Sequence, residues 1–112
     1  MPHMIISYAK KLEKDVNLQD LVQTVFNTAD ETGLFTPDAI KVRALPVDYY
    51  VTSGSDKPFV HLDAKLFVGR TNEQKKMMVE MLYESLNALL PAETALSVEA
   101  IDMDKETYKK KA

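Results

Sequence analysis

The sequence has no cysteine, no long apolar run and no excess of basic charge. Without cysteine, the chain can form neither disulfides nor thiolate metal sites. No apolar stretch approaches the ~18 residues of a membrane-spanning helix, and no secretory h-region is found. We therefore expect a soluble, cytoplasmic protein that has no membrane partner.

The charge balance limits the partners further. The chain carries 14 Lys and Arg against 17 Asp and Glu, a net charge of −3, which argues against nucleic acid as the main partner. A local group of cations would still suit a small anion. The run Lys109–Lys111 is interpreted as a solvated terminus, because like-charge blocks at chain ends usually stay disordered.

The first half of the chain, residues 2–52, predicts a β-α-β unit. Alternating apolar residues predict a strand over 2–8, and Asn17 is expected to cap a helix that ends at Gly33. The apolar positions of this helix share one face: Leu18, Leu21, Val22, Val25, Phe26 and Ala29.

A second strand is predicted over 40–45, with a possible extension past Pro46 through 47–51. Its alternation places Lys41 and Arg43 on one face of the sheet.

The second half, residues 58–103, repeats this order, and a tail follows over 104–112. Strict alternation predicts a strand over 59–68, and a further strand is expected over 95–102. Between them, Thr71 and the Gln three residues later indicate a capping box that opens a helix ended by Pro91. The apolar face of that helix is expected to contain Met78, Met81, Leu82, Ser85, Leu86 and Leu89.

Two such units predict an α/β (α+β) fold, a tandem β-α-β repeat with a four-stranded mixed sheet and both helices on one face. The other sheet face then needs a cover, since it keeps enough apolar side chains to favour association. We expect partner subunits to supply that cover.

Pro2 is a candidate catalytic residue. Methionine aminopeptidase usually removes a Met that precedes a small residue, which would leave Pro2 with a free secondary amine. In a dry pocket near cations, desolvation and repulsion would lower the pKa of that amine, and a neutral amine can accept a proton. The alternative is a Pro that simply begins an edge strand.

Arg70 is a candidate anion-binding residue. It follows Gly69 at the end of the third predicted strand, just before the Thr71 cap. A helix amino terminus favours an anion, and the guanidinium fork suits a carboxylate. The alternative is a solvated or internally paired surface Arg.

Several stretches resemble the tautomerase superfamily, and within it the 5-carboxymethyl-2-hydroxymuconate isomerase family. The resemblance extends to about Asp102 and is carried by the repeat and by the stretches Met1-Pro2-His3, Thr32-Gly33-Leu34-Phe35, Ala39-Ile40-Lys41-Val42-Arg43, Phe59-Val60-His61 and Gly69-Arg70-Thr71-Asn72-Glu73-Gln74-Lys75. It implies a tautomerase/MIF-like fold and a homotrimer with active sites near subunit boundaries. It also implies catalysis without a metal or organic cofactor.

The resemblance further implies the roles of single residues. Pro2 would be the proton-shuttling base, and Arg70 would bind a substrate carboxylate. A second cation would come from the strand after the first helix. There this chain has Lys41 where the family carries Arg, and Lys lacks the planar fork. Arg43 lies on the same predicted face, so either residue could serve.

The implied reaction is ketonisation of an anionic dienol such as 5-carboxymethyl-2-hydroxymuconate, in the breakdown of aromatic compounds. The small carboxylate substrate would be the main partner. Two alternatives stay open: another keto–enol tautomerase of the phenylpyruvate type, or a non-catalytic trimeric binding protein on the same scaffold.

Other features have simpler interpretations. His61 and Asp63 share a strand face, and we expect a packing or interface role because a lone His-x-Asp lacks a third partner for a relay. One of Tyr49 and Tyr50 could line a pocket or interface. A methionine cluster is predicted to fill the core: Met77, Met78 and Met81.

Overall fold

Four strands form one mixed sheet in the computed structural model, which describes residues 1–111. The sheet order is β2-β1-β3-β4. β1 runs parallel to β2 and antiparallel to β3, and β3 runs parallel to β4. This arrangement confirms the predicted α+β fold with its repeated β-α-β unit. The strands are β1 (His3–Ala9), β2 (Lys41–Val47), β3 (Phe59–Phe67) and β4 (Ala95–Met103).

Both predicted helices form, α1 (Leu18–Glu31) and α2 (Asn72–Asn87). Asn17 caps α1 by accepting the backbone N–H of Asp20 at 3.1 Å. The capping box of α2 is complete, since Thr71 and Gln74 each accept the other's backbone N–H. None of the helices in residues 1–111 has the length and apolar character needed to cross a membrane.

Side chains of both helices and one sheet face form a single apolar core. The predicted methionine cluster divides: Met78 is fully buried, Met81 is half-buried and Met77 is exposed. The core prediction is therefore wrong for Met77. It is also wrong for Leu89, which is exposed and lies beyond the end of α2. The fully buried members include Met4, Ile6, Leu21, Val25, Leu62, Leu66, Met78, Leu82 and Leu86.

The second strand is shorter than its longest predicted extent. β2 passes through Pro46 and ends at Val47, so the extension to residue 51 is wrong. Pro46 is tolerated because β2 is an edge strand, where a missing N–H breaks no ladder on the outer side. Beyond the strand Tyr49 is 93% exposed, whereas Tyr50 packs edge-on against Phe59 with ring centroids 5.2 Å apart.

The opposite sheet face carries no helix in the described residues. Its side chains stay half-buried or exposed, in alternation with the core positions. We call it the open face. Its members on the two central strands are His3, Ile5, Ser7, Phe59, His61, Asp63, Lys65 and Phe67.

The tail is only partly a solvated terminus. Lys109–Lys111 are exposed, as expected. The preceding residues are ordered: a short 3-10 turn spans Lys105–Thr107, and Tyr108 packs edge-on against Phe67 with ring centroids 5.5 Å apart. Residue 112, which the prediction includes in the tail, lies outside the described residues.

Candidate active site

The strand directions bring the candidate residues together at one edge of the sheet, the edge formed by the ends of the strands and not by an outer strand. β1 and β2 begin at this edge because they are parallel. β3 runs the other way, so β3 and its parallel neighbour β4 end there. We call it the site edge. Pro2, Lys41, Arg70 and the tail all lie at this edge, although they are far apart in sequence.

Pro2 immediately precedes the central strand β1 and is fully buried. Its carbonyl accepts the backbone N–H of Lys41 at 3.1 Å, which fixes it beside the start of β2. Met1 precedes it, and the Met1 ammonium donates to the carbonyl of Ala39 at 2.6 Å. With Met1 attached, the Pro2 nitrogen is an amide and cannot take a proton.

The surroundings of the chain terminus disfavour a positive charge. Burial is the main cause that lowers the pKa of the Met1 ammonium below its usual value, and the cations of Lys41 and Lys110 lower it further. These are the two influences that sequence reasoning expects for a Pro2 amine. They act here one residue away from the Pro2 nitrogen.

Arg70 turns towards the connection between α1 and β2. Its guanidinium donates to the carbonyl of Leu34 at 2.5 Å and lies over the ring of Phe35, 5.3 Å from the ring centroid. Gly69 allows the turn because it adopts a φ of 124°. The contact with Leu34 uses one of the five N–H donors of the guanidinium. The remaining fork can still bind a carboxylate.

The amino terminus of α2 contributes less to anion binding than the sequence suggests. The capping box between Thr71 and Gln74 already satisfies two backbone N–H groups at this end. A bound anion would compete with these side chains for the same donors. At this point of the chain the guanidinium of Arg70, which uses one of its five N–H donors on Leu34, has more donors left for an anion than the capped helix end has.

Lys41 and Arg43 share the open face, as the alternation predicts. They differ in their contacts. Lys41 stands opposite His3 in the β1–β2 ladder, at the site edge. Arg43 lies deeper along the strand, and its guanidinium lies 3.1 Å from Nδ1 of His3. Lys41 is thus closer to the chain terminus, and it is Lys41 that lowers the pKa of the Met1 ammonium.

His3 lies among these cations, a placement that sequence reasoning missed. Burial lowers its pKa first, and Arg43, the chain terminus, Lys41 and Lys65 lower it further. Its Nε2 lies 2.9 Å from the hydroxyl of Tyr108. The available signal was its position: residue 3 alternates onto the same face as the two predicted cations.

His61 has the additional partners that the sequence did not reveal. Its Nε2 lies 2.8 Å from Asp63 and 3.9 Å from Glu99, and its Nδ1 lies 2.6 Å from the hydroxyl of Ser97. The expectation of a lone His-x-Asp is therefore wrong. The imidazole and the two carboxylates come within 4.8 Å of one another, a set that could hold a divalent cation.

The chain has an open cavity of about 480 Å³ between α1 and the edge strand β2. Lys41 lines it together with its neighbours Ile40 and Val42. Pro2 and Arg70 are not among its lining residues. The backbone around Lys41 thus borders this cavity, whereas the predicted base Pro2 does not.

The family model for 5-carboxymethyl-2-hydroxymuconate isomerase matches residues 2–112. The chain belongs to the 5-carboxymethyl-2-hydroxymuconate isomerase family. Membership makes this protein an enzyme of the isomerase class with tautomerase-type activity, and it confirms the family resemblance of its sequence.

Known proteins similar to this isomerase support the assignment. The 5-carboxymethyl-2-hydroxymuconate Delta-isomerase of Escherichia coli is 29% identical over 86 residues, which cover 75% of this chain and 68% of the relative. A crystal structure of a 5-carboxymethyl-2-hydroxymuconate isomerase from Deinococcus radiodurans R1 is 25% identical, with a TM-score of 0.87 over 98% of this chain and 88% of that chain.

A more distant structure shares the fold of this isomerase. The symmetric trimer of fused wild-type 4-OT is 15% identical, with a TM-score of 0.73 over 93% of this chain and 88% of that chain. The tautomerase/MIF-like fold predicted from the sequence is confirmed by such neighbours.

Proposed function

We propose that this enzyme ketonises an anionic dienol such as 5-carboxymethyl-2-hydroxymuconate without a metal or organic cofactor. The observation that supports this proposal most is the arrangement at the site edge. The buried Pro2 lies there immediately before β1, with Lys41 at the start of β2 and Arg70 after the end of β3. The family assignment supplies the reaction class. We place the reaction in the cytoplasmic breakdown of aromatic compounds.

In this mechanism Pro2 is the base, and removal of Met1 is required first. The freed secondary amine takes the proton from the 2-hydroxyl side of the dienol and returns it to a distal carbon. A neutral amine is needed at working pH. The buried surroundings and the charge of Lys41, which lower the pKa of the Met1 ammonium, support this role for the adjacent nitrogen.

Arg70 and Lys41 are proposed to hold the substrate carboxylates. Arg70 offers a planar fork, and Lys41 offers a compact charge at the start of β2. Arg43 is the alternative second cation, although its contact with His3 occupies part of its fork. Cations fixed around the site would also stabilise the negative charge that develops on the 2-oxo oxygen during the reaction.

The active form is proposed to be a homotrimer. No helix of the described residues covers the half-buried apolar side chains of the open face, such as Ile5, and only single aromatic rings contact Phe59 and Phe67. A structure of the same fold is a symmetric trimer. Association through this face would remove apolar surface from water, and it would bring residues of neighbouring subunits towards each site.

The test follows ketonisation by ultraviolet absorbance, using protein whose intact mass confirms Pro2 as the terminus. The substrates are 2-hydroxymuconate and its 5-carboxymethyl analogue. Pro2→Ala is the decisive variant, since Ala also permits Met removal and leaves an amine of different basicity. We expect it to lose about 10²- to 10⁴-fold in kcat/KM, the usual contribution of general acid–base catalysis. Pro46→Ala is the control, because this Pro lies on an edge strand far from the site edge.

Each alternative makes a different prediction in this assay. Equal turnover by Pro2→Ala would rule out the proline base. Preference for phenylenolpyruvate over both muconates would instead assign a tautomerase of the phenylpyruvate type. Retention of Met1 in the natural host, together with no turnover, would support a non-catalytic trimeric binding protein.

A further inference from the structure

The segment that follows β4 crosses the site edge towards the start of β1. β4 ends at Met103, whose carbonyl accepts the backbone N–H of Val68 at 3.1 Å. Asp104 then caps the 3-10 turn by accepting the backbone N–H of Glu106 at 2.9 Å. The chain is therefore directed back over the end of β3 rather than away from the sheet.

Tyr108 fixes this segment on the sheet. Its ring packs edge-on against Phe67, and its hydroxyl lies 2.9 Å from Nε2 of His3, so it spans the end of β3 and the beginning of β1. Lys105 adds a contact from the same turn, with its ammonium 5.4 Å from the centroid of Phe67. Three separate contacts thus hold the segment beside Pro2, which precedes His3 in the chain.

We propose that the segment 104–111, the C-terminal strap, forms one wall of the Pro2 site, where Lys110 binds a carboxylate of a substrate that carries two or more carboxylates. This inference rests on the proposed function and specifies its substrate recognition. Lys110 is a specificity-determining residue in this scheme. Tyr108 is a positioning residue, which acts through the placement of the strap.

The charges at the site edge are arranged for two carboxylates. Lys41 approaches from the start of β2, on one side of β1, whereas the strap arrives from β3 and β4 on the other side. Lys110 follows Tyr108 by two positions, and the hydroxyl of Tyr108 lies 2.9 Å from Nε2 of His3, the residue next to Pro2. Lys41 and Lys110 also lower the pKa of the Met1 ammonium, after burial, which is the main cause. A cation on each of these two elements favours a substrate with two or more carboxylates over a monocarboxylate.

The contact between Tyr108 and His3 extends to the other predicted cation. His3 lies between Tyr108 at Nε2 and Arg43 at Nδ1, so the strap and β2 are joined through one imidazole. Loss of the Tyr108 hydroxyl would remove this link while the ring could still pack on Phe67. The position of Lys110 would then be less well defined.

The test measures substrate preference and unreactive ligand binding on protein with a Pro2 terminus. In Lys110→Gln we expect KM for 2-hydroxymuconate to rise about two- to fivefold, the scale of an exposed charge contact, while KM for phenylenolpyruvate stays unchanged. Calorimetry should show the same loss of affinity for adipate, a dicarboxylate that cannot react, and none for hexanoate.

Three further variants complete the design. Lys14→Gln is the matched control, because it removes the same charge at the end of the 3-10 turn that follows β1, at the opposite end of that strand. It should leave the affinities for adipate and for hexanoate unchanged.

Tyr108→Phe should weaken adipate binding, as Lys110→Gln does. The double variant should lose little more than Lys110→Gln alone, since both changes act on one interaction.

The outcomes separate this inference from the proposed function. Unchanged adipate affinity in Lys110→Gln overturns the inference, even if the enzyme ketonises muconates rapidly. No adipate binding by the unmodified protein overturns it as well. If no muconate is turned over while adipate affinity still falls in Lys110→Gln and not in Lys14→Gln, the proposed reaction fails and the carboxylate site of the strap stands.

Discussion

Asp63 and Glu99 stand directly opposite one another in the parallel ladder of β3 and β4. Two carboxylates in such a pair repel each other. His61 bridges this pair, since its Nε2 lies 2.8 Å from Asp63 and 3.9 Å from Glu99. Ser97 fixes the other side of the ring, 2.6 Å from Nδ1. The group is thus a polar network on the open face rather than a lone histidine.

Removing the imidazole should therefore destabilise the fold. We expect His61→Ala to lower the free energy of unfolding by about 0.5–1 kcal/mol near neutral pH, the usual scale of a partly exposed cross-strand interaction. Chemical denaturation at one fixed protein concentration measures the change. Adding Asp63→Asn should recover part of the loss, because one of the two opposed charges is then absent. If the effects of His61→Ala and Asp63→Asn on the free energy of unfolding simply add in the double variant, the network is contradicted.

The choice between Lys41 and Arg43 can be tested by matched neutral variants. Lys41→Gln should raise KM for 2-hydroxymuconate about tenfold, whereas Arg43→Gln should raise it less, since Arg43 is engaged by His3. Steady-state kinetics with a dianionic and a monoanionic dienol measures the difference. The opposite order would place Arg43, rather than Lys41, in the substrate site.

Arg70 should not be replaceable by Lys. Arg70→Lys keeps the charge but loses both the fork and the flat surface that lies over Phe35. We expect KM to rise about tenfold in Arg70→Lys, with a smaller loss of kcat. Arg70→Ala should raise KM further and lower kcat further. Thermal unfolding of the same variants serves as the control for the lost contact with Leu34. Normal kinetics in Arg70→Lys would exclude a bidentate role.

Tyr8 provides a prediction at high pH. Burial, and then a hydrogen bond to Glu13 with the charge of that carboxylate, raises its pKa from 10 to about 12. The folded state thus holds the phenol proton more tightly than the unfolded state. The resulting stabilisation is complete below pH 10 and is lost as the pH rises from 10 towards 12.

Ultraviolet titration of tyrosine ionisation checks this shift. One tyrosine should ionise near pH 12 in the unmodified protein and disappear from the titration in Tyr8→Phe. Tyr49→Phe is the control because its side chain is 93% exposed. Loss of an ordinary tyrosine from the titration of Tyr8→Phe would contradict the assignment.

The local features of the fold could be predicted because each depends on neighbouring residues. Asn17, Thr71 and Gln74 cap helices through groups only three positions away, so sequence spacing decides them. The strand alternation likewise fixed the shared face of Lys41 and Arg43. The errors lie where local pattern does not determine exposure: Met77 has a core-forming side chain but faces away from the core.

The sequence by itself determined the two β-α-β units, their caps and the candidates Pro2, Arg70, Lys41 and Arg43, since these follow from periodicity, spacing and family motifs. Only the tertiary structure decided which distant residues meet. The antiparallel pairing of β1 with β3 brings the start of one unit to the end of the other, and so joins His3 to Tyr108, 105 positions away. Pairing and register are long-range properties, and no local pattern specifies them.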